Sequence, residues 1–314
     1  IMINDVRRAL FEAPPVRQVC VELPEEDVTP EERKRDNVGH LQMSLYGTRD
    51  AAMNWQEEVA RDMTKWAFKR GRYNPCLYHN QELNIMTLVH GDDFMSVGSN
   101  MALPKVKNNL EKRFEIKTQV IGPPPGSLRI LPSGPKGGSE VPVVQEGRIL
   151  NRVVRWTDDG WEVEPDQRHS DILIQEMALS DVRPVSTPGE SENKTEDEDS
   201  ETPLNDADAS RYRAMAARAN YLAADRKDLM YSVKEICRSM SKPTVGSLKK
   251  LKRLGRYLVG NGRLTTQYAW QGEGKHVTGY NDSDWAGCRV TGKSTSGGVV
   301  MIGSHFIKGG RGPK

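Results

Sequence analysis

Ile85-Met86-Thr87-Leu88-Val89-His90-Gly91-Asp92-Asp93-Phe94-Met95-Ser96-Val97-Gly98 decides how this chain is read. Two strand-length apolar runs flank a glycine and two adjacent carboxylates. Such runs on either side of a Gly-containing turn predict a β-hairpin. Its tip would carry Asp92 and Asp93. Adjacent carboxylates repel each other, and a divalent cation relieves that repulsion. Hard oxygen ligands suit Mg²⁺, and two such ions can clamp the attacking and leaving oxygens of a phosphoryl transfer. Read by itself, the dipeptide is more simply a solvated turn, since turns are rich in Gly and Asp.

Toward the N-terminus, residues 1–5 form a short apolar run ending at Asp5. An Asp at a strand end could join a carboxylate cluster, although a lone Asp there is more often a cap or turn residue. Residues 24–38 are charged, contain proline and read as loop. Over residues 50–70, Ala52, Trp55, Val59, Met63 and Trp66 recur at steps of three or four. That spacing predicts a helix with one apolar stripe, stopped by Gly71. Core packing accounts for both tryptophans.

Downstream, residues 104–113 predict a second helix, with Pro104 in its first turn and Val106 and Leu110 facing inward. Residues 122–147 are rich in Gly and Pro and read as an inserted loop. Residues 149–164 predict a strand pair around Asp158-Asp159-Gly160. A turn is all that second Asp-Asp pair requires, which cautions against reading every such pair as a metal site. Residues 168–179 predict a helix.

Residues 190–208 hold nine acidic side chains and one basic one, Lys194. Composition predicts a disordered linker and a domain boundary there. The whole chain is only +2, so the remainder is about +10, a balance that suits a polyanionic partner or an ordinary basic surface. Helices are predicted at 209–223, 227–241 and 245–259. The last carries Leu248, Leu251, Leu254 and Leu258 on one face, and Lys249, Lys250, Lys252, Arg253 and Arg256 elsewhere. Those cations could meet a nucleic-acid backbone or simply be solvated. Residues 264–270 and 276–281 predict strands, the second running into Asn281-Asp282-Ser283-Asp284-Trp285-Ala286-Gly287. Residues 297–308 add a hairpin turning at Gly303-Ser304.

A length of 314 residues suits about two domains. With 36% hydrophobic residues and a mean hydropathy of −0.66, the chain is polar. No apolar run approaches the ~18 residues of a membrane span, and no signal peptide is read. Cys20, Cys76, Cys237 and Cys288 form no CxxC pair, which argues against a zinc site or a disulfide framework and for a reducing, intracellular setting. Ile1 stands where Met would begin a gene product, so an excerpt of a longer chain is expected.

Taken in order, these motifs resemble the Pol polyprotein of copia-type retrotransposons, in its reverse transcriptase and ribonuclease H region. Asp5-Val6-Arg7-Arg8-Ala9 resembles the segment with the first catalytic Asp. Leu45-Tyr46-Gly47 followed by Trp55 resembles the family's LYG…W segment, and His90-Gly91-Asp92-Asp93 stands where the family has Tyr-Val-Asp-Asp. Arg183-Pro184-Val185-Ser186-Thr187-Pro188 is similar to the end of the polymerase region. Tyr212-Arg213 through Tyr221-Leu222, and Leu251-Lys252-Arg253 with Arg256-Tyr257-Leu258, resemble the connecting helices. Gly279 through Gly287, with Lys293-Ser294-Thr295-Ser296-Gly297, resembles the start of a ribonuclease H domain.

This resemblance implies an α+β chain: a palm-like polymerase region over 1–189, the acidic linker 190–208, connecting helices over 209–262 and a truncated ribonuclease H-like α/β domain over 263–314. It implies nucleotidyl transfer to a primer 3′ end, with Asp5, Asp92 and Asp93 as catalytic residues holding two Mg²⁺ ions. Asp282 would be a metal ligand of the ribonuclease H site, and Leu10 and Gly91 would lie against the substrate. An RNA template, a DNA primer, dNTPs and the rest of the polyprotein are the implied partners, with no membrane.

The sequence also departs from the family pattern. Gly91 replaces the usual Val, His90 the usual Tyr, and Asp50 a usual Gln. Leu10 stands where such enzymes usually have an aromatic that screens the sugar 2′ position. The fingers expected before Asp5 and the later acidic residues expected after Lys314 are missing. Two expectations follow, a polymerase or a decayed fragment that only binds nucleic acid.

Overall fold

The computed structural model describes residues 1–35, 37–124, 141–190, 198–274, 276–287 and 292–313. It is a mixed α+β structure with seven α-helices among the described residues. Two compact units divide the chain, Ile1–Gly147 and Arg148–Lys314.

The first unit opens with β1 (Met2–Val6) and continues through β2 (Cys20–Val21), α1 (Pro30–Lys34), β3 (Gly39–His40) and α2 (Ala51–Lys65). Then come β4 (Lys69–Arg70), β5 (Leu77–Asn80), β6 (Ile85–His90), β7 (Asp93–Val97), α3 (Leu103–Arg113), β8 (Ile116–Ile121) and β9 (Val143–Val144), while β10 (Glu146–Ile149) spans the unit boundary and is the first strand of the sheet β10-β11-β12-β13. Seven strands form one sheet in the order β4-β5-β6-β7-β1-β8-β9. Strand alternation sorts the side chains between the two faces. Val6, Ile85, Val89 and Phe94 turn toward Trp55, Val59 and Met63 of α2 and Val106 and Leu110 of α3, and together they form the core of this unit.

Two polar contacts cross strands on that core face. Thr87 and Ser96 share a 2.9 Å hydrogen bond, and Asn4 Nδ2 donates to Thr118 Oγ1 at 2.8 Å.

Several expected boundaries move. In the predicted stripe of α2, Ala51 is buried and Ala52 is exposed. The helix stops before Gly71. Ala67 takes a left-handed φ of 61°, and Phe68 N donates back to Met63 O at 2.9 Å, which closes the last turn. The stretch 24–38, read as loop, contains α1, started by a reciprocal capping box between Thr29 and Glu32. The expected loop 122–147 is shorter than its composition suggests. Its residues 125–140 lie outside the described residues, but β9 pairs in parallel with β8. Val141 and Val143 supply the reason, because both pack against the core.

The second unit holds β11 (Arg152–Thr157), β12 (Gly160–Glu164), α4 (Arg168–Glu176), α5 (Asp206–Ala223), α6 (Met230–Arg238), α7 (Val245–Gly260), β13 (Thr266–Ala269), β14 (Val277–Ser283), β15 (Thr295–Ile302) and β16 (His305–Pro313). Trp156 pairs with Trp161 across the β11–β12 hairpin, and β13 follows on the other side of β12. Strands β14, β15 and β16 make a three-stranded sheet.

Leu173 of α4, Tyr212 and Ala216 of α5, Ile236 of α6 and Leu251, Leu254 and Leu258 of α7 bury one apolar core. The acidic tract therefore lies within this unit, between α4 and α5. Residues 191–197 of the tract lie outside the described residues. The end of the tract takes regular secondary structure. Glu198–Glu201 form a single 3-10 turn, and Asp206 and Asp208 occupy the first turn of α5, where Asn205 caps the Asp208 N–H. Carboxylates are favoured at a helix N-terminus by its dipole. No helix among the described residues is long and apolar enough to cross a membrane.

Candidate functional site

The site begins with a turn. Strands β6 and β7 pair from Met86↔Val97 to His90↔Asp93, so Gly91 and Asp92 form a two-residue loop. Gly91 has φ +63° and open space where a Cβ would stand. Positive φ at the first loop position is the demand of a type II′ hairpin turn, which glycine meets without strain.

Strand β1 then brings Asp5 to this tip. Asp5 lies directly across from Asp93, and Val6 N donates to Asp92 O at 3.0 Å. Three carboxylates read from distant parts of the sequence thus sit on adjoining strand ends. Residues opposite one another on neighbouring strands share a face. His90, Asp93, Asp5 and Lys117 therefore form one row across β6, β7, β1 and β8, on the face away from the helices. Leu88, Met95, Ile3 and Gln119 form the next row.

The electrostatics follow from this crowding. Partial burial, then the charges of Asp92 and Asp5, hold the Asp93 carboxyl above the usual carboxylate range, while His90 works in the opposite direction. A cation would relieve the same repulsion, and the donor set of hard oxygens fits Mg²⁺. The side chains do not form a finished cage, however. Among the described residues, no group of three or more His, Cys, Asp or Glu side chains converges as metal ligands do.

Trp55 was read from the sequence as packing only, and the structure adds a second contact. It is buried, edge-on to Phe94 and Phe114, and its indole Nε1 donates to the Gly91 carbonyl at 2.6 Å. The sequence showed Trp55 in the apolar stripe and in the LYG…W resemblance, but nothing in it marked Gly91 as a partner.

Leu10 lies in a short 3-10 helix, Ala9–Glu12, half-buried against the core of the first unit. Beside it, Phe11 meets Tyr46 edge to face at 5.4 Å. Asp50 precedes α2 without capping it. Its carboxylate instead takes both Arg17 Nε and Nη2, at 3.0 and 3.1 Å, and this hydrogen bonding holds it below its ordinary pKa. Just past Asp5, Arg7 and Arg8 both reach Glu115, at 2.5 and 3.5 Å.

Asp282 belongs to the second unit. It lies on β14, across from Gly297, with an exposed side chain. Asp284, two residues on, is committed to the backbone. It accepts from Thr295 N at 2.5 Å.

Comparison with known proteins adds ancestry to this geometry. No family model matches the chain. An uncharacterized mitochondrial protein of Arabidopsis thaliana is 29% identical over 140 residues, 45% of this chain and 56% of that protein. The retrovirus-related Pol polyprotein from transposon RE1 of the same plant is 27% identical over 270 residues, 85% of this chain. The corresponding polyprotein from transposon RE2 is 26% identical over 276 residues, 87% of this chain. The chain spans only 16% and 17% of the lengths of these two polyproteins. It is a distant homologue of the Pol polyproteins of copia-type retrotransposons.

Proposed function

We propose that this chain is the polymerase part of a copia-type reverse transcriptase, joined to the beginning of a ribonuclease H domain. The observation that carries the reading is the register that sets Asp5 across from Asp93 beside the Gly91-Asp92 turn. In this reading the seven-stranded sheet with α2 and α3 behind it is the palm, and its open face meets the primer end. Two Mg²⁺ ions held by Asp5, Asp92 and Asp93 would supply the charge that activates the primer 3′ hydroxyl and holds the triphosphate of a dNTP.

The chain's own residues position that chemistry. Trp55 pins the turn that carries Asp92. Leu10 and Gly91 lie against the incoming nucleotide. Sheet β14–β16, with Asp282 exposed on it, is the ribonuclease H part, and the remaining polyprotein supplies the other groups that site needs. The partners are an RNA template and a DNA primer, in an intracellular setting.

A second reading has its own support. Outside residues 190–208 the chain carries about +10, which favours a decayed fragment that binds nucleic acid through its basic surface. Mg²⁺-dependent extension of a primed RNA template separates the two. Extension by the unmodified chain, abolished in Asp92→Asn, is the expected result. Salt-sensitive binding with no extension by either protein would support the second reading.

A further inference from the structure

We propose that the basic face of α7 is a surface for a nucleic-acid backbone, and that Glu190 is a built-in competitor for it. Glu190 occupies the Arg253 guanidinium that a phosphate would take. The inference rests on the nucleic-acid reading above, though not on catalysis.

At 3.6 residues per turn, Lys249, Lys252, Arg253 and Arg256 fall on one side of α7, opposite Leu251, Leu254 and Leu258. Lys249 and Lys252 are exposed. The two arginines are engaged by a segment that follows the helix from its C-terminal end toward its middle. A Cβ on Gly260 would come 2.9 Å from Pro184. Arg256 Nε donates to the Arg183 carbonyl at 3.0 Å. Arg253 Nη2 donates to Thr187 Oγ1 at 2.9 Å, and Arg253 Nη1 pairs with the Glu190 carboxylate.

The backbone of this segment is anchored, because Gly189 packs so closely on Ser232 of α6 that a Cβ would stand 2.6 Å from its hydroxyl. The Glu190 side chain is not anchored in the same way. It is 66% exposed against 22% for Arg253. Its carboxylate is screened by solvent, so a phosphate oxygen competes for the same guanidinium. The result is a carboxylate standing in for phosphate, held in place by the glycine beside it and displaceable without unfolding anything. Arg253 then joins Lys252 in one cationic stripe.

Anisotropy of a labelled RNA–DNA hybrid, titrated with the full chain over a salt series, tests this. Glu190→Gln should tighten binding roughly 3- to 10-fold at about 50 mM monovalent salt, and steepen the log K against log salt slope by about one. Arg253→Ala should weaken binding, and Glu190→Gln should add nothing in that background. Arg253→Lys, which keeps the charge and loses the fork, replaces the alanine variant if circular dichroism shows that variant unfolded.

Three results overturn the proposal: unchanged affinity and slope in Glu190→Gln, equal tightening with and without Arg253, or no binding by any of these proteins. Primer extension is measured on the same samples. Its absence strikes the catalytic reading and leaves the role of Glu190 standing.

Discussion

Trp55 and Gly91, 36 residues apart, are joined by a 2.6 Å hydrogen bond from the indole N–H to the backbone carbonyl at the hairpin tip. The bond links the core to the one turn on which the carboxylate cluster depends. Trp55 is only 2% exposed and wedged between aromatic rings, so the donor has little freedom to move. Where the tip sits is therefore set by core packing as well as by the turn.

Trp55→Phe keeps most of the ring and removes the donor. Loss of a hydrogen bond of this kind costs about 1–2 kcal/mol. Trp55→Ala also empties core volume and should cost about 3–5 kcal/mol. Chemical denaturation reads both. A phenylalanine variant as stable as the unmodified chain would show that the bond contributes nothing to folding.

Gly91→Val restores the residue usual in the family and should nonetheless destabilise this chain. The φ of +63° is unfavourable for an L residue, and nothing lies within 4 Å of the new Cβ to cause a clash. The penalty is then backbone strain, about 1–2 kcal/mol. Gly91→Asn should cost less, because Asn tolerates this region. Equal melting temperatures for the two variants would contradict the strain argument.

Asp93→Asn should stabilise the fold at neutral pH. The folded pKa is raised above the ordinary value of 3.8, so the native state binds the proton more tightly than the unfolded chain does. The penalty for ionising Asp93 is absent below that ordinary value, grows as pH rises through the folded pKa, and is complete above it. The variant should melt roughly 1–2 °C higher at pH 7, with no difference near pH 3. A constant gap across that range would assign the gain to something other than carboxylate repulsion.

Asp228→Asn should be among the more damaging changes in the second unit. The Arg226 side chain is 1% exposed and meets Asp228 through two hydrogen bonds of 3.0 and 2.6 Å. Tyr257 donates to the same carboxylate at 3.0 Å. Removing the charge leaves a buried guanidinium without its counter-ion, at about 3 kcal/mol. Denaturant unfolding of the second-unit helices measures it.

Much of the local structure was legible in the sequence because its causes are local. The β6–β7 hairpin follows from two apolar runs and a glycine that can take positive φ. The strand pair around Gly160 is found where Asp158-Asp159-Gly160 predicted it. The leucine stripe of α7 is buried as its period demanded. Within the expected acidic linker, Asp206 and Asp208 have a specific use in the first turn of α5. Composition reports an average over a segment and cannot register a cap.

The sequence by itself determined the turn that carries Asp92 and Asp93, the periodic helices and the motif order that marks the chain's ancestry. Only the tertiary structure decided that Asp5 stands across from Asp93, that Trp55 holds Gly91, and that Glu190 sits on Arg253. The physical reason is range. Turn and helix propensities act within a few residues. Strand register between distant segments is chosen by burying Val6, Val89 and Phe94 on one face together, and a slip of one residue would turn Asp5 into the core.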